Sequence, residues 1–183
     1  RKWCLKSHLV WAQGKTSEVS AIISGDPTDS YGFKVVGGDN GGPSNGGTAK
    51  MFIRPVSGSI TYHWHDANYP YRNAAGEHTG IDIAVAQGTS VKAAGLGTVI
   101  EVVDGSGDQA SYIAIRHSTG LITKYAHLSR LDVKVGDQVR RGDIIGLSGG
   151  TPGTPGAGLY SNGAHLHFEV LANGLAVDPE KYL

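Results

Sequence analysis

The sequence predicts an all-β fold class, an antiparallel sheet or sandwich with few or no long helices. The chain of 183 residues contains 28 glycines, only 17% of its residues are charged, and its apolar residues fall in short runs separated by Gly, Asp-Gly or Ser-Gly turns. Short apolar runs between tight turns are typical of hairpin-connected strands, and the low charge argues against long surface helices. We therefore expect an antiparallel sheet that closes or folds over on itself.

The first fifty residues differ from the rest of the chain. Residues 37–47, with the sequence GGDNGGPSNGG, contain six glycines and no apolar side chain. Such a segment cannot bury enough surface to offset the entropy of ordering it. We interpret residues 1–50 as an N-terminal extension with a Gly-rich linker and residues 51–183 as the main domain.

From residue 51 onward, short alternating apolar runs predict strands in nearly every segment. The segment KMFIRPVSGSITYHW indicates two strands joined through Ser57 and Gly58. Further strands are predicted, in chain order, in GIDIAVA, TSVKAA, GTVIEVVD, SYIAIRH, LITKYAHL, GDIIGLS and AHLHFEVLA. The segment GGTPGTPGAGLYSNG, residues 149–163, is too long for a tight turn, and a loop of this size is commonly a functional rim or a disordered connection.

Composition argues against several classes of function. Lysine plus arginine and aspartate plus glutamate each number 16, so the formal charge is zero and no basic field exists to hold nucleic acid. No stretch approaches the roughly 20 apolar residues that span a bilayer. The chain has one cysteine, Cys4, which excludes an internal disulfide and a cysteine-based zinc knuckle. Any metal ion must therefore be bound by histidine and carboxylate.

Histidine and aspartate residues at particular strand positions point to a metal site. In AHLHFEV, His165 and His167 occupy alternate positions of a strand and therefore project from the same face. In GIDIAVA the apolar residues take one face and leave Asp82 on the other, beside the small Ala84. His78 precedes this aspartate by four positions. These side chains have the chemistry of metal ligands.

A further histidine comes from LITKYAHL, where the same alternation predicts that Thr123, Tyr125 and His127 share one face. Catalytic zinc takes three nitrogen or oxygen ligands and keeps one position for water. His78, Asp82 and one histidine of the 165/167 pair supply that number. The other histidine of the pair and His127 would then stay unligated, able to accept a proton and to stabilise an oxyanion.

These motifs and their surroundings resemble the lysostaphin or LytM family of zinc endopeptidases. The family motifs stand here as HTGID, YAH and HLHFEV, within EHTGIDIAVAQGTSVKAAGLGTVIEV, KYAHLSRLDVKVGDQVRRGDIIGLSG and GAHLHFEV, and the chain ends in VDPEKYL. The resemblance covers the whole predicted main domain. It implies that His78, Asp82 and His167 bind zinc, and that His127 and His165 are the two unligated catalytic histidines.

The resemblance implies a zinc-dependent endopeptidase, with one zinc ion per chain, that hydrolyses peptide bonds in the stems or cross-bridges of peptidoglycan. Metal-bound water would attack the carbonyl, with the two unligated histidines as base and oxyanion stabiliser. It also implies an extracellular or cell-envelope location, and we expect a monomer with no nucleic-acid partner and no membrane span in this chain. The alternative is a non-catalytic cell-wall scaffold or activator of the same fold. Such members usually lack one or more of the five residues, and all five are present here.

The chain departs from the family pattern before its first motif. Many members have a short Gly-x-Phe-Gly-x-Arg segment there, whereas this chain has the longer, aromatic ITYHWHDANYPYRNAAGEHTG. We expect Tyr69, Tyr71 and Arg72 to line the substrate groove. We interpret His63 and His65, at alternate positions, as polar residues of a strand. The bond that is cleaved stays open.

Overall fold

A computed structural model of the protein describes residues 50–105 and 107–183. The predicted N-terminal extension and its Gly-rich linker therefore lie outside the described residues, apart from Lys50. The elements, in chain order, are β1 (Ile60–Tyr62), α1 (Arg72–Ala75), β2 (Ile81–Ala84), β3 (Ser90–Lys92), β4 (Gly97–Val103), β5 (Tyr112–His117), β6 (Ile122–Ala126), β7 (Leu128–Leu131), β8 (Gln138–Val139), β9 (Ile144–Ser148), β10 (His165–Ala172), β11 (Leu175–Val177) and a 3-10 helix (Pro179–Lys181).

The strands form two antiparallel sheets. The larger sheet has the order β1-β2-β10-β6-β5-β4-β8, with β11 paired to the end of β10, and the smaller sheet has the order β3-β9-β7. Within the described ranges the α-helix has four residues, and no helix is long and apolar enough to cross a membrane. The predicted all-β class is confirmed.

The observed strands differ from the predicted strands in several parts of the chain. The segment KMFIRPVSGSITYHW forms one strand, β1, and not two. Its first half makes isolated backbone bonds instead of a ladder. The N–H groups of Phe52 and Ile53 donate to the carbonyls of Tyr182 and Ala94, and the carbonyl of Pro55 accepts from the N–H of Lys92. A strand cannot continue through Pro55, which has no N–H to donate. LITKYAHL spans two strands, β6 and the start of β7, and the short β8 and β11 were not predicted.

The hydrophobic core lies on one face of the larger sheet. Leu166, Phe168 and Val170, at alternate positions of β10, are fully buried there beside Ile81 and Ile83 of β2. The same cluster includes three side chains of the smaller sheet, Val91, Leu128 and Ile145. The smaller sheet therefore covers the core face of the larger one, and the opposite face of β2 and β10 is available for other chemistry.

A buried chain of hydrogen bonds runs through this core. The hydroxyl of Tyr125 accepts from the N–H of Ala94 at 2.8 Å and lies 2.9 Å from the hydroxyl of Thr123, which lies 2.8 Å from Nε2 of His117. Nδ1 of His117 donates to the carbonyl of Leu96 at 2.8 Å, so Nε2 of this ring is the acceptor. Burial lowers the pKa of His117 and favours this neutral ring. Each polar group of the chain thus has a partner.

The buried chain predicts unequal effects for two tyrosine substitutions. Tyr125→Phe leaves the N–H of Ala94 without a partner and removes one of the two bonds of the Thr123 hydroxyl, and we expect it to lower the free energy of unfolding by about 1–3 kcal/mol. Tyr112→Phe, on the neighbouring strand, removes a hydroxyl that bonds to the exposed Glu101 and should cost less than about 0.5 kcal/mol. Urea denaturation measures both, and equal costs would contradict the prediction.

Candidate functional site

The pairing of β2 with β10 brings two predicted ligands together. His167 lies directly opposite Asp82 in the antiparallel register, and Ala126 of β6 flanks it on the other side. Since Phe168 faces the core, its neighbour His167 projects from the other face of the sheet, as Asp82 does. The site therefore begins in the middle of the larger sheet, on the face away from the core.

The glycine of the HTGID motif allows this close pairing. A Cβ atom at Gly80 would overlap the carbonyl oxygen of Phe168 and would lie 3.0 Å from Cε1 of His167. His78, two residues earlier, is buried with its Nε2 atom 3.1 Å from Oδ1 of Asp82. In the HTGID motif, His78 and Asp82 thus supply two possible metal ligands, and Gly80 allows the close approach of β10.

Three ligand atoms converge at this position. Nδ1 of His167 lies 2.8 Å from Oδ1 of Asp82, and Nε2 of His78 lies 3.1 Å from both of these atoms. In a tetrahedral zinc site with bonds of about 2.0–2.1 Å, ligand atoms stand about 3.3 Å apart. Two imidazoles and one carboxylate are also a donor set that zinc accepts. The residues present therefore fit a zinc ion in both spacing and chemistry.

The charges around the cluster favour a cation. Burial opposes the charge of Asp82, but hydrogen bonds with His167 and His78 outweigh it and hold the pKa of Asp82 well below its usual range. Burial also opposes a charge on His167, but its bonds to Asp82 and Glu169 raise the pKa of His167 to about 9. The pKa of Glu169 falls to about 2, because the His167 bond outweighs burial. Two carboxylates thus stabilise positive charge between them.

The two ligand-type imidazoles are held by acceptors behind them. Nδ1 of His78 donates to the carbonyl of His63 at 2.7 Å, and Nε2 of His167 lies 3.0 Å from Oε1 of Glu169. The hydroxyl of Thr79 donates to the same Glu169 oxygen at 2.7 Å. A proton on each outer nitrogen leaves the inner nitrogen available to a metal ion. Sequence analysis missed Glu169, although its position two residues after His167 places it on the same strand face.

The two remaining predicted histidines lie beside the cluster. The rings of His127 and His165 have centroids 4.5 Å apart, and Nε2 of His165 lies 3.7 Å from Oδ1 of Asp82. Among the described residues this Nε2 atom, which is buried, has no hydrogen-bond partner. Burial, with the charges of His165 and His167, lowers the pKa of His127 to about 4. His127 is therefore a neutral ring near neutral pH.

His127 reaches the site in a way that differs from the prediction. Tyr125 lies opposite Phe168 in the register and packs against it, so Tyr125 and Thr123 face the core. His127 follows the end of β6 with a φ of 60°, a left-handed conformation that interrupts the alternation of a strand. Thr123 and Tyr125 share a face as predicted, but the prediction that His127 shares it is wrong, because the backbone turns at His127, between β6 and β7.

Aromatic residues before β2 form one side of the cleft. Tyr69 stacks on His78 with ring centroids 4.4 Å apart, and Tyr71 packs against Tyr160 at 5.5 Å. Of the three residues predicted to line the groove, Tyr69 lines the cleft, Tyr71 does not but contacts the lining residue Tyr160, and Arg72 forms an exposed ion pair instead. The cleft is lined by Tyr69, His78, Thr79, His127, Tyr160 and His167.

His63 and His65 are not strand residues, because β1 ends at Tyr62. The side chain of His63 bonds to Glu180 at 2.7 Å, while its backbone carbonyl accepts a hydrogen bond from Nδ1 of His78. His65 has a φ of 55° and stacks on Trp64 with ring centroids 3.6 Å apart. The interpretation of both as strand positions is wrong, since the chain turns there.

The fold and the site together define a class of protein. A β-sheet domain that presents a His-Asp-His cluster in a cleft, with two further histidines beside it, has the features of a mononuclear metal hydrolase. The sequence profile of Peptidase family M23 matches residues 76–179, more than half of the chain. The chain belongs to this family.

Known proteins agree with this assignment. The chain is 39% identical over 111 residues to peptidoglycan DD-endopeptidase ShyC of Vibrio cholerae. The aligned residues make up 61% of this chain and 24% of that protein. A zinc-containing peptidase from Vibrio cholerae has 33% identity and a TM-score of 0.59, covering 70% of this chain and 39% of that one. The catalytic domain of lysostaphin from Staphylococcus simulans has 34% identity and a TM-score of 0.56, and the match covers 67% of this chain and 89% of that domain.

These matches confirm the predicted class, a metallopeptidase domain of the lysostaphin and LytM type. The chain spans about a quarter of the length of the first curated relatives it matches.

The close approach at Gly80 predicts a destabilising substitution. Gly80→Ala should force β2 away from β10 and lower the free energy of unfolding by at least about 1–3 kcal/mol. Gly163→Ala is the matched control, because neither glycine has a positive φ and a Cβ atom at Gly163 meets nothing within 4 Å. We expect the control to stay within about 0.5 kcal/mol of wild type. Similar denaturation curves for the two variants would show that the approach is less tight than described.

Proposed function

We propose that this domain is a zinc-dependent endopeptidase that hydrolyses peptide bonds in the stems or cross-bridges of peptidoglycan, at the cell envelope. The observation that carries the proposal is the convergence of ligand atoms from His78, Asp82 and His167 in a cleft. The similarity to a peptidoglycan DD-endopeptidase and to lysostaphin supports the substrate class. The monomeric state stays a prediction.

In this proposal His78, Asp82 and His167 hold one zinc ion, with Nε2 of the first ring and Nδ1 of the second as ligand atoms. When bound there, zinc supplies Lewis acidity, which polarises a carbonyl oxygen and acidifies water. The carbonyl of His63 and the carboxylate of Glu169 orient the two rings, because each accepts the proton of the outer nitrogen.

His127 and His165 supply the proton chemistry. The buried Nε2 atom of His165 lies close to the ligand cluster without a partner among the described residues, as a general base requires. The neighbouring ring of His127 completes the pair, and the two divide the roles of base and oxyanion stabiliser between them. The five side chains lie close together, and His78, His127 and His167 among them line the cleft, which favours an enzyme over a scaffold.

Removal of one ligand should abolish both metal binding and hydrolysis. Purified protein should contain one zinc ion per chain and release muropeptides from peptidoglycan, and a chelator should stop the release. We expect His167→Ala to lose both properties. Arg116→Ala is the control, because Arg116 is exposed on β5, a strand that pairs with neither β2 nor β10.

Elemental analysis for zinc and mass spectrometry of the digest provide the measurements, and the new termini identify the bond. Hydrolysis retained by His167→Ala would reject the ligand assignment. A zinc-loaded wild type that releases nothing would support the scaffold alternative.

The carboxylate behind His167 should control how tightly zinc is held. Glu169→Gln keeps the shape of the side chain but removes its charge, and we expect zinc affinity to fall about 10–100-fold. Glu101→Gln, an exposed position on β4, should leave the affinity at the wild-type value. Competition with a chromogenic chelator measures the three affinities. Unchanged affinity in Glu169→Gln would mean that the carboxylate has no part in metal binding.

A further inference from the structure

The Gly/Pro-rich loop of residues 149–163 contacts both histidines that lie outside the three-ligand cluster. Nδ1 of His127 lies 2.6 Å from the carbonyl oxygen of Ala157, and Nδ1 of His165 lies 2.8 Å from the carbonyl oxygen of Gly163. Both acceptors are backbone atoms of this loop. One segment therefore holds both rings.

These contacts determine which nitrogen of each ring carries a proton. A carbonyl oxygen only accepts, so Nδ1 of His127 and Nδ1 of His165 must each supply the hydrogen of the bond. In a neutral imidazole the other nitrogen, Nε2, is then unprotonated. For His165 this atom is the buried one beside Asp82. The loop thus leaves a lone pair next to the ligand cluster.

The loop is anchored independently of the ligand cluster. The carbonyl of Gly156 accepts from the N–H of Ser111 at 3.0 Å. The buried hydroxyl of Ser161 donates to the carbonyl of Gly150, at the other end of the loop, and lies 3.2 Å from the carbonyl of Gly163. In the part of the chain that the structure describes, no hydrogen bond of the loop ends on a side chain of the three ligands.

We propose that residues 149–163 form a positioning loop that keeps His127 and His165 in the Nδ1-protonated tautomer, with Nε2 available to accept a proton. The tautomers follow from the hydrogen bonds alone, and their effect on rate rests on the proposed function. Loss of either carbonyl contact lets the ring rotate or exchange its tautomer, while the three ligands stay in place. The loop therefore controls the chemical step and leaves metal affinity unchanged.

Two glycines of the loop provide a matched test. Gly153 and Gly156 both have a φ of 78°, so alanine strains the backbone similarly at each. A Cβ atom at Gly156 would overlap the carbonyl oxygen of Leu128 and lie 2.7 Å from Oγ of Ser111, whereas a Cβ atom at Gly153 meets nothing within 4 Å. Gly156→Ala should therefore displace the neighbouring carbonyl of Ala157, and Gly153→Ala controls for the backbone strain.

The experiment combines nitrogen NMR of the imidazole rings, with and without added zinc, with kcat, KM and zinc affinity for the full chain. Wild type and Gly153→Ala should show a protonated Nδ1 and an unprotonated Nε2 at His127 and His165. Gly156→Ala should lose this pattern at His127 and lower kcat about 100-fold, with KM and zinc affinity unchanged. An Nε2-protonated tautomer in wild type would overturn the proposal, and so would equal kcat values for the two glycine variants.

A second variant keeps the test decisive if Gly156→Ala does not fold. Gly150→Ala places a Cβ atom 2.9 Å from the carbonyl oxygen of Gly163 and 3.0 Å from Nδ1 of His165, so the proposal requires an altered tautomer at His165 and a lower kcat than in Gly153→Ala. Wild-type spectra and kcat in Gly150→Ala would overturn it. If wild type hydrolyses no peptidoglycan, the proposed function fails, while the tautomers measured in that protein still support or overturn the assignment of the loop.

Discussion

The buried carboxylate of Asp82 is the constraint on which the rest of the site depends. A buried charge needs partners, and they come from His167 on the opposite strand and from His78 four residues earlier. This requirement and the hydrophobic core demand the same register, because a slip of one residue between β2 and β10 would turn Phe168 out of the core. The strands that build the core on one face therefore hold the ligands on the other.

Backbone carbonyls, and not only side chains, orient the histidines. Nδ1 of His78 donates to the carbonyl of residue 63. Nδ1 of His127 and Nδ1 of His165 donate in the same way to carbonyls of the loop of residues 149–163. His167 is instead oriented by a side chain, that of Glu169. A carbonyl acceptor does not depend on the identity of its residue. The long aromatic segment can therefore differ from the family pattern while the ring of His78 stays oriented.

Alternation along strands predicted most of the sheet and part of the site. It correctly predicted that His165 and His167 share a face and that Asp82 projects away from its apolar neighbours, because both segments are regular strands with apolar side chains on one face. It failed for His127, whose left-handed backbone follows the end of β6, and in the segment around Pro55, where single bonds replace a ladder. It could not reveal the carbonyls of residues 63, 157 and 163, because a carbonyl oxygen occurs at every position of the chain.

The sequence by itself determined the all-β class, the strand order along the chain and the histidine and aspartate residues that resemble a zinc peptidase. These are local properties, carried by the periodicity of two residues and by motif spacing. Only the tertiary structure decided which nitrogen of each ring faces its partner, that Glu169 and Thr79 stand behind His167, and that one loop holds two histidines. Several of these features depend on contacts between residues far apart in the chain, such as Thr79 with Glu169 and His127 with Ala157, and strand pairing and packing bring such residues together. Others, such as His167 with Glu169, join near neighbours but depend on which way each ring turns.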